Sequence, residues 1–224
     1  MIRYIGLTAP HLLLLAAPLA ASSPLKSVGL LVATKCLPIA VLAQETYAKN
    51  KTLAVGLGLS MVGDLFLGLG HEHYFMHGLV SFLAAHVAYI KGAQEYKPPL
   101  APWTLAGIGA TAAAIFGGVI LPDVPGDLKV PVVVYLSALV GMAWRFGARY
   151  QQTRALVGNK ERSMVPKSVL VQHEKAKWGA AGSILFLVSD GLLAYNKFVA
   201  PIPGDNLLIM VTYYGAQIAI AKSA

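Results

Sequence analysis

The chain has 224 residues, of which 56% are hydrophobic and only 12% are charged. This composition excludes an ordinary water-soluble domain and indicates a polytopic membrane protein. The net charge of +8 does not indicate a nucleic-acid partner, because the Lys and Arg residues fall between apolar runs, where they set membrane orientation.

Eight segments are apolar enough to cross a bilayer, which takes about 20 residues per helix. No linker or compositional break separates them, so we expect one all-α integral membrane domain over 1–224. The first segment could instead be a cleaved signal peptide ending near Ser22, but a retained helix is the preferred interpretation. The predicted spans are 4–22, 27–45, 52–70, 74–92, 101–121, 130–148, 178–196 and 206–222.

The distribution of basic residues predicts that both the N- and the C-terminus are cytosolic. With the N-terminus inside, 14 Lys and Arg residues fall on the inner side, and only Lys26, Lys129 and Lys197 fall on the outer side. Cytosolic loops show this excess. The segment 149–177 is predicted to be a long basic cytosolic loop that is attracted to anionic lipid. Cys36 is the only cysteine, so the chain forms no intramolecular disulfide.

Two aspartates lie inside apolar segments, Asp64 in LSMVGDLFLGLG and Asp190 in SILFLVSDGLLA. A carboxyl at that depth costs about 3 kcal/mol or more, and such residues mark acid–base chemistry or ion pathways. Asp64 follows Lys51 by 13 residues, and Asp190 follows Lys177 by the same 13. At a rise of about 1.5 Å per residue both carboxyls lie about 20 Å from the inner surface, which suggests one shared site.

Three further spans bring polar side chains to the same layer. The same rise per residue places Lys35, Tyr135 and Tyr213 there, and Gln217 lies one turn beyond Tyr213 on the same helix face. A shared pocket is the economical explanation. The tyrosines could equally be interface anchors or packing residues, and Lys35 could serve only to neutralise an aspartate.

The fourth span carries a histidine whose estimated depth differs. His86 precedes Lys91 by five residues, which places it about 8 Å from the inner side and roughly a dozen Å from the aspartates. We therefore interpret it as a helix–helix hydrogen bonder rather than a proton carrier. His77 falls on the opposite helix face and cannot share its site. The stripe that contains His86 consists of Phe75, Gly78, Phe82, His86 and Tyr89.

No metal site is predicted. A metal cluster is suggested by the residue types of His71, Glu72, His73 and His77, but the sequence supplies no second set of ligands. GxSxG, Walker A and HExxH motifs do not occur, so the sequence lacks the motifs that serine hydrolase, P-loop and zinc protease mechanisms require.

Five strings occur in order from the second span to the last: TKCLPIAVL, SMVGDLFLGLG, YFMHGLVSFLAAHVAYI, GAAGSILFLVSDGLLAYNKFVAPIP and IMVTYYGAQIAI. Together they resemble the lysoplasmalogenase family, which comprises the YhhN-type proteins and the animal transmembrane protein 86 group. No single motif is specific, whereas the ordered set is. The first span and the segment 149–177 match this pattern poorly.

The resemblance implies eight membrane helices, location in the endoplasmic reticulum membrane, and hydrolysis of the vinyl ether bond of lysoplasmalogens. The products would be a fatty aldehyde and glycerophosphocholine or glycerophosphoethanolamine, and the partner would be a lysophospholipid within the bilayer. The polar positions of the family fall on Lys35, Asp64, His86, Tyr89, Tyr135, Ser189, Asp190, Tyr213 and Gln217.

Vinyl ether hydrolysis needs one protonated and one ionised carboxyl, the division of labour that glycosidases use, and no metal or organic cofactor. Asp64 and Asp190 could share one proton, with Lys35 holding one of them ionised. The neighbouring Ser189 suggests that Asp190 is the ionised member and that Asp64 is the donor. Both would lie about 10 Å below the outer surface, so we expect the substrate to enter from the outer leaflet.

Three other functions are compatible with aspartates in membrane helices. A proton-coupled transporter uses such groups, but the flanking sequences show no internal repeat. An intramembrane aspartyl protease would require GxGD and PAL elements, which the chain lacks. A purely structural or scaffold protein is the third alternative.

Overall fold

The computed structural model describes residues 2–16, 24–70, 74–158 and 161–224. These residues form eight α-helices with no strand among them, as the all-α prediction requires. The helices are α1 (Ile2–Ala16), α2 (Pro24–Tyr47), α3 (Lys51–Leu69), α4 (Phe75–Gln94), α5 (Pro102–Ala112), α6 (Gly126–Val157), α7 (Lys167–Phe198) and α8 (Asp205–Lys222). Helix α5 continues as a π-helix over Ala113–Ile120 and ends in a 3₁₀ turn over Leu121–Asp123.

Within the described chain, five helices are long and apolar enough to cross a membrane. They are Gly29–Tyr47, Lys51–Leu69, Pro102–Asp123, Gly126–Val157 and Lys167–Phe198. Helices α4 and α8 fall outside this set because they carry polar side chains such as His86 and Gln217, which are buried against other helices. The eight-span topology therefore stays a prediction. The end of the predicted first span, including Ser22, lies outside the described residues.

Six helices surround a common centre. Each contacts the next in the order α2, α3, α4, α6, α7, α8, and α8 closes the ring against α2. Helix α1 lies against α2 and α8, while α5 lies outside the ring against α6, and the π-helix that follows it contacts α7. One side of each ring helix therefore faces the same interior space.

Glycines on α3 and α7 set the close approach of neighbouring helices. A Cβ atom on Gly56 would lie 2.4 Å from the Tyr89 ring, and one on Gly63 would lie 2.6 Å from the Phe82 ring. On α7, a Cβ on Gly182 would lie 2.9 Å from the carbonyl oxygen of Ala216. Small residues at such points let helices pack closely inside a membrane.

The fifth predicted span is rich in Gly and Ala, a composition that suits close helix packing, but it does not pack in this way. Gly107 and Gly109 have no atom within 4 Å of an added Cβ. The reason is position, because α5 lies at the periphery, where one side of the helix has no neighbouring helix.

The predicted loop 149–177 is mostly helical, which corrects that prediction. Helix α6 continues to Val157, and α7 begins at Lys167. Each has 32 residues and is about 48 Å long, against a hydrocarbon layer of about 30 Å. Hydropathy marked where the apolar part of each helix ends, but Lys, Arg, Gln and Glu are good helix formers and continue both helices beyond it.

Two arginines that were counted as inner-side charges are buried and join helices. The Arg149 guanidinium lies 3.4 Å from the centre of the Tyr96 ring and donates to the carbonyl oxygen of Ser223 at 2.9 Å. Arg145 donates to the carbonyl oxygens of Pro98 at 2.7 Å and Pro99 at 2.9 Å. Helix α6 is thus tied to the segments that follow α4 and α8 by cation–π and charge-assisted contacts.

The connection between α7 and α8 is held by one asparagine. Asn196 donates to the Asp205 carboxylate at 2.8 Å and accepts from the backbone N–H of Ile202 at the same distance. The NKF and PIP elements of the sequence therefore close a turn at one end of the ring.

The glycine contact on α7 gives a test of this packing. Gly182→Ala places a methyl group against backbone atoms of α8 that cannot move independently, so we expect a loss of about 1–3 kcal/mol in the free energy of unfolding. Gly109→Ala, in an open position, should be neutral or slightly stabilising because alanine favours the helix. Thermal unfolding of both variants in detergent measures this, and equal stability of the two would contradict the packing.

Candidate functional site

A cavity of about 100 Å³ lies between the six ring helices and the π-helix. Its wall is mostly apolar and includes Phe82, Leu139 and Met210. At about 30 Å³ per water molecule the space holds only a few small groups. Six polar side chains from the sequence analysis line it: Lys35, Asp64, Tyr135, Ser189, Asp190 and Tyr213.

Asp64 has a partner for each carboxylate oxygen. Its Oδ1 lies 3.0 Å from the Lys35 Nζ, and the Tyr213 hydroxyl donates to its Oδ2 at 2.5 Å. The residue is only 1% exposed, so water contributes little to its solvation. The backbone at Lys35 is itself fixed, because the Tyr214 hydroxyl donates to its carbonyl oxygen at 3.2 Å. The negative charge of Asp64 on α3 is thus stabilised by an ammonium from α2 and a hydroxyl from α8.

Asp190 has different surroundings. The Tyr135 hydroxyl donates to its Oδ2, and the Nε2 of His86 lies 3.8 Å from the same oxygen. No lysine or arginine of the described chain forms an ion pair with it. Its side chain is 12% exposed, and Asp190 lies close enough to Asp64 for an electrostatic interaction. The two carboxyl groups of the cavity therefore differ in charge compensation.

The position of His86 corrects its estimated depth. It contacts the Asp190 side chain instead of lying a dozen Å from it, and its ring centroid is 5.1 Å from that of Tyr135. The depths were counted from lysines that flank the apolar segments, and this count failed at Lys177. Lys177 does not mark the start of its helix, which begins ten residues earlier at Lys167. Lysine side chains also reach along the helix, so they locate a membrane surface poorly.

The hydrogen bonds of His86 define its tautomer. Its Nδ1 lies 2.6 Å from the carbonyl oxygen of Phe82, which can only accept, so we assign the hydrogen to Nδ1. In the neutral ring Nε2 then presents a lone pair. This atom is buried and has no hydrogen-bond partner among the described residues. It faces Asp190.

Two predicted site residues lie behind the cavity wall. The Tyr89 hydroxyl donates to Gln217 Oε1 at 2.7 Å, and Ser60 Oγ lies 3.1 Å from the same hydroxyl. This fully buried network joins α3, α4 and α8. Gln217 was predicted one turn beyond Tyr213 on the same helix face, and it lies in this second layer.

Ser189 does not support Asp190 as expected. Its hydroxyl donates to the carbonyl oxygen of Ile209 on α8 at 3.2 Å. The expectation that Ser189 keeps Asp190 ionised therefore loses its basis, and the ion pair is found at Asp64 instead.

The YhhN family model matches residues 8–224. The chain belongs to the YhhN family. It is 33% identical to lysoplasmalogenase TMEM86A of Bos taurus over 80% of this chain and 67% of the relative. It is 34% identical to lysoplasmalogenase TMEM86B of Sus scrofa over 88% of this chain and 75% of the relative. For TMEM86A of Homo sapiens the identity is 33% over 76% of this chain and 63% of the relative.

The chain thus spans about two thirds of the length of the TMEM86A relatives. No solved structure gives a significant match.

Four residues of this YhhN-family chain that contact the cavity or its polar groups were not singled out from the sequence. Ser60 precedes Asp64 by one helical turn, and Tyr214 adjoins Tyr213, so spacing could have indicated both. Lys197 follows Asp190 by seven residues on the same face of α7. Phe116 lines the cavity from the π-helix and carried no signal in the sequence.

The histidine-rich segment stays apart from this site. His77 is exposed and contacts the Phe66 and Tyr74 rings. His71, Glu72 and His73 lie outside the described residues, and among the residues that are described no group of three metal-ligating side chains occurs.

The buried ion pair gives a second test. Lys35→Met leaves the Asp64 carboxylate without its cation, which should lower the free energy of unfolding by about 3–5 kcal/mol. The double variant Lys35→Met/Asp64→Asn removes both charges and should recover a large part of the loss. Thermal unfolding in detergent measures the coupling, with Lys129→Met at an exposed position as the control. Equal destabilisation in the single and double variants would exclude a coupled pair.

Proposed function

We propose that this protein hydrolyses the vinyl ether bond of lysoplasmalogens, releasing a fatty aldehyde and glycerophosphocholine or glycerophosphoethanolamine. The observation that carries the proposal is the pair of carboxyls on one apolar cavity, of which only one is paired with a cation. The names of the TMEM86A and TMEM86B relatives support the same reaction.

In this proposal Asp190 donates the proton and Asp64 stays ionised, the reverse of the assignment from sequence. Asp64 has an ammonium at 3.0 Å, which stabilises its charged form. Asp190 lacks such a cation and faces the lone pair of His86, which can accept a hydrogen bond from a protonated carboxyl but repels a carboxylate. The surroundings thus favour opposite protonation states for the two groups.

The reaction begins with proton transfer from Asp190 to the β-carbon of the vinyl ether. The π electrons of the double bond form the new C–H bond, which leaves an oxocarbenium ion shared by the α-carbon and the ether oxygen. The Asp64 carboxylate stabilises this positive charge across the cavity, as a preorganised anion does in glycosidases.

Water then attacks the α-carbon and returns a proton to the Asp190 carboxylate, giving a hemiacetal. The bond from the α-carbon to the glycerol oxygen breaks, and the hemiacetal hydroxyl proton ends on that oxygen. The products are the aldehyde and a free glycerol hydroxyl, with one water consumed. The Tyr135 and Tyr213 hydroxyls each donate a hydrogen bond to one carboxyl and keep the two carboxyl groups oriented.

The lining of the cavity suggests how the substrate lies. Asp190, Leu193, Ala194 and Lys197 form one stripe along α7. Lys197 is exposed, stands over the Phe75 ring at 4.3 Å, and lies about 10 Å from Asp190 along the helix. Its ammonium is suited to the phosphodiester of a lipid head group at the interface, with the vinyl ether bond below it at Asp190.

Aldehyde release is the direct test. Purified protein should cleave a lysoplasmalogen and leave its saturated alkyl-ether analogue intact, because only the vinyl ether can be protonated at carbon. Asp64→Asn and Asp190→Asn should each lower kcat by about 10²–10⁴-fold. Glu174→Gln, which alters an exposed carboxyl on α7, serves as the control. Proton flux or solute uptake without aldehyde would contradict the hydrolase and favour a transporter.

We also propose eight membrane spans, cytosolic termini and residence in the endoplasmic reticulum membrane. The basis is the charge bias of 14 against 3 and the resemblance to animal relatives. In a Cys36→Ser background, single cysteines at Ser22 and Ser163 should label from opposite sides of sealed vesicles, with position 163 accessible from the cytosol. Lumenal labelling at position 163 would reverse the topology.

A further inference from the structure

A second concave surface lies on the outer side of the ring, beside the cavity. It is a groove between α7 and the continuous segment formed by α5 and the π-helix. Its lining is apolar and includes Gly107, Ile108, Ile115, Phe116, Val188 and Gly191. The hydroxyl of Thr111 in this lining donates to the carbonyl oxygen of Gly107 at 2.9 Å, so its donor is already satisfied.

Phe116 separates the groove from the candidate site. Its ring lines both the cavity that holds Asp190 and the groove outside. On the groove side the neighbour of Asp190 is Gly191, where an added Cβ would lie 3.9 Å from the Phe116 ring. One aromatic side chain therefore forms the partition, and the glycine leaves room beside it.

The backbone that carries Phe116 is unusual. The π-helix Ala113–Ile120 is eight residues long, although π-helices occur mostly as single turns and are frequent at functional sites. Gly117 and Gly118, which follow Phe116, have no atom within 4 Å of an added Cβ. The segment therefore has free space on the side away from the ring.

The dimensions of the groove fit one hydrocarbon chain. Gly107 and Phe116 are nine residues apart, about 13 Å along the helix, which is close to half of the hydrocarbon layer of about 30 Å. The cavity of about 100 Å³ holds only the reacting end of a lysophospholipid, so the rest of the chain must leave through the wall. The groove begins at that wall and is apolar along its length.

We propose that the groove binds the alkenyl chain of the substrate, with Phe116 as the partition that the chain passes beside. This inference rests on the proposed function and extends it, because it assigns a chain-binding subsite to the outer side of the ring. Substrate then lies with its head group at Lys197, its vinyl ether at Asp190 and its chain along α5. Chain-length preference is set in the groove rather than in the cavity.

Two glycines of α5 provide a matched pair for the test. Gly107 lines the far end of the groove, whereas Gly109, two residues on, does not, and both positions have open space for a side chain. Aldehyde release would be measured in mixed micelles at fixed mole fraction, with a long-chain and a short-chain lysoplasmalogen. Gly107→Leu should lower kcat/KM about tenfold for the long-chain substrate and leave the short-chain substrate unaffected. Gly109→Leu should leave the ratio unchanged.

The possible outcomes distinguish a failure of the proposed reaction from a failure of the proposed chain-binding groove. If the wild-type protein cleaves neither substrate, the proposed function fails. If it cleaves both, and Gly107→Leu lowers both rates equally or neither, the reaction stands and the groove is only a surface for bulk lipid. Ile115→Trp, at an exposed groove position nearer to Phe116, should reduce cleavage of both chain lengths, and thermal unfolding checks that each variant is folded.

Discussion

The charge of Asp64 is compensated inside the helix bundle by the Lys35 ammonium at 3.0 Å. An isolated carboxylate in such a place would be unstable, so this pair requires α2 and α3 to remain side by side. The hydroxyl of Tyr213 adds the requirement that α8 approach from the other side. These contacts join three of the six ring helices. Because Lys35 is engaged by Asp64, the second carboxyl of the cavity is left without a cation.

An aromatic cluster of Phe82, Phe186 and Tyr213 packs around these polar groups. The rings meet edge to face, with centroids 5.7–6.5 Å apart, and Phe186 also contacts His86 at 4.8 Å. Edge-to-face contacts fix ring orientation as well as filling space. The cluster contacts side chains from both carboxyl sites and excludes water around them, which strengthens every charge interaction in the cavity. Packing and electrostatics therefore depend on each other here.

The sequence was sufficient to predict the helical class, and it pointed to the two aspartates, Lys35, Tyr135 and Tyr213, which line one cavity. A polar group in an apolar run is conspicuous. The sequence was insufficient where side-chain direction decides the outcome. Ser189 adjoins Asp190 in the chain but points to Ile209, and the start of the helix that carries Asp190 was misjudged, so its contact with His86 was missed. Phe116 could not be found, because the π-helix that orients it leaves no mark in hydropathy.

The length of α6 and α7 has a mechanical consequence. Asp190 stands 23 residues from the start of α7, about 35 Å away, so this end of the helix lies far from any reacting atom. The buried Arg149 joins α6 to Tyr96 and Ser223, between this end of the helix pair and the cavity. Insertions, deletions or attached protein modules near the start of α7 would thus be insulated from the chemistry.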